Sequence, residues 1–102
     1  MTDLRIHPLG PGDERACERI LRALPDWFGI ESALRDYVED CGRLPTWIAR
    51  NERDAVGFVT VRTHFPRAAE IHCMAIDPAW HRRGVGRRLV EFAANRLRDE
   101  GV

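Results

Sequence analysis

Apolar positions along this chain change their spacing twice. Ala16, Ile20 and Leu24 recur every four residues, and Cys17 and Leu21 widen the stripe. That spacing puts one apolar face on an amphipathic helix. Asp13 is placed to cap its start, Glu14 suits the positive end of its dipole, and Pro25 ends it. Ile30, Leu34, Tyr37, Val38 and Cys41 repeat the helical spacing. They predict a second helix over about residues 30–41, with Gly42 as its C-terminal cap. The aromatic run Asp26-Trp27-Phe28-Gly29 between the two helices reads as a loop. Ahead of them, Leu4 and Ile6 predict a short strand over Asp3–His7, stopped by Pro8, and Gly10-Pro11-Gly12 makes a turn.

After Pro45 the pattern turns strand-like. Thr46–Arg50 and Ala55–His64 are rich in Val, Ile, Thr and aromatic residues, with the polar Asn51–Asp54 between them. They predict an antiparallel hairpin. Gly57 inside the second strand signals a bulge or a close backbone approach. Phe65-Pro66-Arg67 reads as a turn. Glu70–Asp77 is apolar on both faces, as is a strand in the middle of a sheet. Leu89, Val90, Phe92, Ala93 and Leu97 return to helical spacing, opened by Gly84-Val85-Gly86 and capped by Gly101. The order β-α-α-β-β-β-α predicts one α/β (α+β) domain.

Composition narrows the function. The chain has 102 residues, with 16 basic and 16 acidic side chains and a formal net charge of zero. That argues against a general nucleic-acid or anionic-membrane partner, whose binding draws on phosphate neutralisation. No apolar run has transmembrane length, and the N-terminus lacks a signal-peptide core. Cys17, Cys41 and Cys73 show no CxxC spacing, so neither a disulfide framework nor a zinc site is predicted. The histidines show no metal-ligand spacing either. A cytoplasmic location without a metal is the expectation.

The chemistry concentrates between Ile76 and Leu89. A buried strand leads through a short loop into a glycine-containing helix start. The first amides of a helix have no partner within it and lie at the positive end of its dipole, which suits phosphate. Arg82, Arg83, Arg87 and Arg88 add positive charge. The P-loop pattern is absent, and Gly84-Val85-Gly86 is followed by Arg87-Arg88-Leu89, so the dinucleotide pattern fails too. What remains is [Arg/Gln]-x-x-Gly-x-[Gly/Ala] after a strand and before an amphipathic helix.

In this, the sequence resembles the GNAT N-acetyltransferase superfamily. The likeness runs from His81-Arg-Arg-Gly-Val-Gly86 back through Ile76-x-Pro78 to Glu70, and takes in the Val56-Gly57-Phe58 hairpin and the two helices. His81 stands where the family usually has Arg or Gln. The resemblance implies a mixed, largely antiparallel sheet with acceptor-side helices over about 13–42. It also implies an acetyl-CoA-binding strand and helix over about 70–100. His81, Arg82, Arg83, Gly84, Val85, Gly86, Arg87 and Arg88 would hold the pyrophosphate through the loop backbone. Met74, Ala75 and Ile76 would pair with the pantetheine arm, on a strand that usually carries a β-bulge. The reaction implied is direct transfer of acetyl from acetyl-CoA to a primary amine on a small molecule or peptide. Glu70 is the first candidate general base and His72 the second. Trp27, Phe28 and Tyr37 could line the acceptor side, and Glu31, Asp36, Glu39 and Asp40 could draw a cationic amine. Each has a plainer reading beside it: Glu70 as a strand-edge charge, His72 as a hydrogen-bonded strand residue, the aromatics as packing, the acids as a solvated face.

The family's fifth strand, which normally walls the cleft, has no counterpart here, nor has the later helix that often supplies a Tyr. Truncation of a longer enzyme is the favoured expectation. The other is a short product whose 70–77 strand edge invites strand addition or a homodimer. A non-catalytic acyl-CoA-binding or regulatory module is the alternative function.

Overall fold

The computed structural model describes residues 4–64 and 68–101. Within them β1 (Arg5–Pro8) is followed by the helices α1 (Glu14–Arg22), α2 (Pro25–Phe28) and α3 (Glu31–Arg43). Strands β2 (Thr46–Arg50), β3 (Ala55–His64) and β4 (Ala68–Ile76) come next. A 3-10 turn at Pro78–Trp80 leads into α4 (Val85–Asp99). The strands form one antiparallel sheet of four in the order β1-β2-β3-β4.

The apolar stripes of the sequence become the two faces of this sheet. Cys17, Ile20, Leu21 and Leu24 of the first helical segment pack with Leu34, Cys41, Ile48 and Phe58 on one side. Val85, Leu89, Ala93 and Leu97 of α4 pack with Trp47, Val56, Val59 and Val61 on the other. Burying a side chain such as Phe58 or Leu89 contributes about 1.5–3 kcal/mol. The polar atoms at the centre are paired. Thr46 Oγ1 donates to Leu44 O at 3.0 Å and lies 3.0 Å from Thr60 Oγ1, which lies 3.5 Å from Cys41 Sγ.

Several expectations are corrected. Pro8 does not stop β1 but ends it in register opposite Trp47, which an edge strand permits because no ladder bond needs its missing N–H. The run Asp26–Gly29 is not a loop. Pro25 opens the helical turn α2, where its fixed φ suits a first helical position. Asp13 precedes α1 but makes no capping bond to it; its carboxylate accepts from Gly10 N–H at 2.8 Å and from Arg50 at 2.6 Å. Gly42 lies inside α3, against the Glu14 side chain, and Leu44 is the cap. Ile30 sits outside the apolar stripe and is exposed. Most consequential, β4 is an edge strand among the described residues, and Ala68–Ile71 are exposed. Asp3 and the turn 65–67 lie outside the described residues. Gly101 does end α4, at φ 87°.

Candidate functional site

The site grows from the junction of β4, the 3-10 turn and α4. Gly57 lets these elements meet. A Cβ there would lie 2.7 Å from Ile76 Cδ1 and 3.2 Å from Ala75 O, so any larger residue must push the Ile76 side chain aside and crowd the β4 backbone. Asp77 then shapes the exit from β4, accepting from Ala79 N–H at 2.9 Å. Arg19 reaches over from α1 to Ala55 O at 2.7 Å and to Asp77 at 3.4 Å.

The loop that follows carries two left-handed residues, Arg82 at φ 64° and Gly84 at φ 76°. Such reversals turn successive N–H groups toward one side and build a concave anion cradle. Arg82 holds this conformation without the freedom of glycine, at a cost of order 1 kcal/mol. The first bond of α4 runs from Arg88 N–H to Gly84 O, at 3.1 Å. The amides of Val85, Gly86 and Arg87 therefore lack helical acceptors and point out of the helix start. No acidic residue occupies that first turn.

The arginines of the motif do different things. Arg83 lies over the Trp80 ring at 5.1 Å, a cation–π contact. Arg87 pairs with Glu91 at 3.2 Å, and Arg88 reaches Leu4 O at 3.4 Å. Arg82 makes no side-chain bond among the described residues. His81 acts as a clasp that the sequence did not reveal. Its Nε2 lies 2.8 Å from Ile76 O, and since a carbonyl only accepts, Nε2–H donates.

From His81 an apolar groove of about 260 Å³ runs along Met74, Ala75 and Ile76 of β4. Leu24, Trp27 and Phe28 form its other wall. The first two candidate sets, the β4 backbone and the aromatics of α2, are thus brought together. Trp27 is 79% exposed at this groove. Tyr37 is not in the wall but behind it, edge-on to Phe28 with ring centres 5.6 Å apart.

The strand carries the bulge that the resemblance implies. Thr60 pairs with Cys73 and Val61 with Ile71, which leaves His72 as the extra residue. His72 Nε2 meets Asp40 Oδ2 at 2.8 Å. Glu70 is placed as a strand-edge charge, the plainer of its two readings. Its side chain is 61% exposed and bonds His64 at 3.0 Å; it borders a small hollow between β4 and α4, away from the groove along Met74–Ile76. Of the acids on α3, Glu31 is taken up by Arg22 and Arg35, and Asp40 by Arg43 as well as His72. The Arg43 guanidinium and then the His72 imidazole hold the Asp40 carboxyl below the usual carboxylate range. Among the described residues, no group of three or more His, Cys, Asp or Glu is placed to hold a metal, and no helix is long and apolar enough to cross a membrane.

Known proteins share this fold. The profile of the acetyltransferase (GNAT) family matches residues 14–102. The mycothiol acetyltransferase of Segniliparus rotundus is 31% identical over 110 aligned positions, which take in 91% of this chain and 40% of that protein. In structure, the PaiA N-acetyltransferase of Thermoplasma acidophilum in complex with coenzyme A superposes with a TM-score of 0.82 at 18% identity, over 98% of this chain and 75% of that one. The ribosomal-protein-S18-alanine N-acetyltransferase of Escherichia coli superposes with a TM-score of 0.78 at 19% identity, over 98% and 63%. Likeness at such identity establishes the fold alone. The chain thus spans about two-fifths of the curated relative and 63–75% of these two structures. With the family profile covering most of its length, the chain belongs to the acetyltransferase (GNAT) family.

Proposed function

We propose that this chain holds acetyl-CoA and contributes to transfer of its acetyl group to a primary amine. The observation that carries the reading is the cradle at 82–88. Two left-handed residues and three amides without helical acceptors face outward beside an exposed strand edge. The amides of Arg82–Arg87 would take the pyrophosphate, the Arg88 amide being held by Gly84 O, with Arg82 the arginine best placed to add charge. The backbone of Met74, Ala75 and Ile76 would receive the pantetheine arm as an added strand. The apolar groove beside it fits the acyl end and the acceptor, with Trp27 and Phe28 at its wall. When bound, the thioester supplies an activated acyl carbonyl. The three cysteines are buried and free, in keeping with a cytoplasmic setting.

Thermal denaturation with coenzyme A tests this. A ligand at a hundred times its Kd stabilises the native state by about 2.7 kcal/mol. A rise in Tm that is lost in Gly84→Val supports the reading. An unchanged Tm at millimolar coenzyme A counts against it.

The exposure of Glu70 favours a second reading, a non-catalytic acyl-CoA-binding module. Acetyl transfer by the wild type separates the two, and Glu70→Gln tests Glu70 as the base. An enzyme using this base loses transfer while keeping coenzyme A binding. We further propose association of two copies along the Ala68–Ile71 part of the β4 edge, clear of the Met74–Ile76 backbone, where Ile71 is 51% exposed. Sedimentation should then depend on concentration and become monomeric in Ile71→Lys; a monomer at all micromolar concentrations would refute it.

A further inference from the structure

The bulge in β4 carries an arrangement that neither reading above uses. His72 Nε2 lies 2.8 Å from Asp40 Oδ2. A carboxylate only accepts, so Nε2 bears a proton and donates it. In the neutral ring this leaves the lone pair on Nδ1. Both partners are largely shielded, with side chains 21% and 13% exposed. Arg43 holds the other Asp40 oxygen at 2.6 Å, which keeps the carboxylate ionised and fixed. Tyr37 supports the imidazole with ring centres 5.7 Å apart, and Phe28 supports Tyr37 in turn. Phe28 is also a wall of the groove along Met74–Ile76. The pair is thus linked to the groove wall through Tyr37 and Phe28, and His72 lies two residues along β4 from Met74. Elsewhere on the sheet the nearby ionisable groups, Glu70 and His64, are engaged with each other.

We infer that Asp40 is a positioning residue for His72, whose Nδ1 accepts the proton of the acceptor amine during acyl transfer. The inference rests on the acyl-CoA reading. The amine nitrogen bonds to the thioester carbonyl carbon, the C–S bond breaks, and sulfur leaves with the electron pair. The amine proton passes to Nδ1, and Asp40 stabilises the imidazolium that forms. That proton then goes to the thiolate. The products are an amide and a thiol, and the ring is neutral again.

Nitrogen NMR of the imidazoles in the 102-residue protein tests this. In the wild type at a pH where the ring is neutral, His72 should carry its proton on Nε2. In Asp40→Asn the amide can donate to Nε2, and the Nδ1–H form should become the major one. Adding acetyl-CoA should move the His72 Nδ1 resonance while leaving His7, on the far strand, in place. A wild-type proton on Nδ1, or a tautomer unmoved by Asp40→Asn, would overturn the positioning role. Coenzyme A that raises Tm without moving the His72 ring would overturn the proton-accepting role alone. Failure of coenzyme A to raise Tm would instead overturn the acyl-CoA reading beneath it.

Discussion

Two glycines show how differently one residue type can be required. Gly57 is needed for space, because a Cβ would meet Ile76 Cδ1 at 2.7 Å and Ala75 O at 3.2 Å. Gly84 is needed for conformation; nothing lies within 4 Å of its missing Cβ, but its φ is 76°. Gly57→Ala should cost about 1–3 kcal/mol by overpacking the β3–β4 junction. Gly84→Ala should cost about 1 kcal/mol, the left-handed penalty alone. Urea denaturation of both variants checks the contrast, and equal costs would contradict it. Asp13 gives the pH dependence. Burial pushes its carboxyl up, but the Gly10 amide and the Arg50 guanidinium together outweigh that and leave it below the ordinary value. A carboxyl lowered in the folded state stabilises above its unfolded value, about 3.9, and loses that contribution as pH falls through the folded one. Stability should fall below about pH 4 in the wild type. Asp13→Asn should be less stable at neutral pH and show a shallower acid decline. Identical acid limbs in the two proteins would refute this.

Among elements, the junction of β4 with the cradle depends on a side chain that the motif does not prescribe. His81 ties Ile76 O to the loop at 2.8 Å. His81→Ala should free that carbonyl, cost about 1 kcal/mol and weaken coenzyme A binding several-fold. His81→Gln, which can donate in the same place, should recover most of both. Denaturation and calorimetry measure the two effects, and an alanine variant that binds as the wild type would show the clasp to be idle. The helices and strands were largely legible, because each buries one periodic face. What escaped was set by distance in sequence or by context. Pro25 could end one helix or begin another, and only packing of Phe28 on Tyr37 shows that it begins α2. Gly42 looked like a cap, yet the helix runs past it to Arg43, beside Glu14. Glu70–Asp77 read as a central strand from its apolar faces, but Ala68–Ile71 are exposed at the sheet edge.

The described residues form a sheet with helices on both faces, and the candidate site lies along one edge. The cradle was readable because it is local: strand, turn and glycines follow one another within a dozen residues. The pairing of Asp40 with His72 was not, because it joins residues far apart in sequence. Asp40 stands 32 residues from His72, and no spacing rule joins an acid on a helix to a histidine in a bulge. On the proposed reading, the α4 start and the β4 edge together hold one acyl-CoA. This is tested most directly by following backbone amide resonances while coenzyme A is added. The amides of Arg83–Arg87 should shift most, Met74–Ile76 should follow, and β1 should stay still. Binding that leaves the Val85, Gly86 and Arg87 amides unmoved, or no binding, would contradict it.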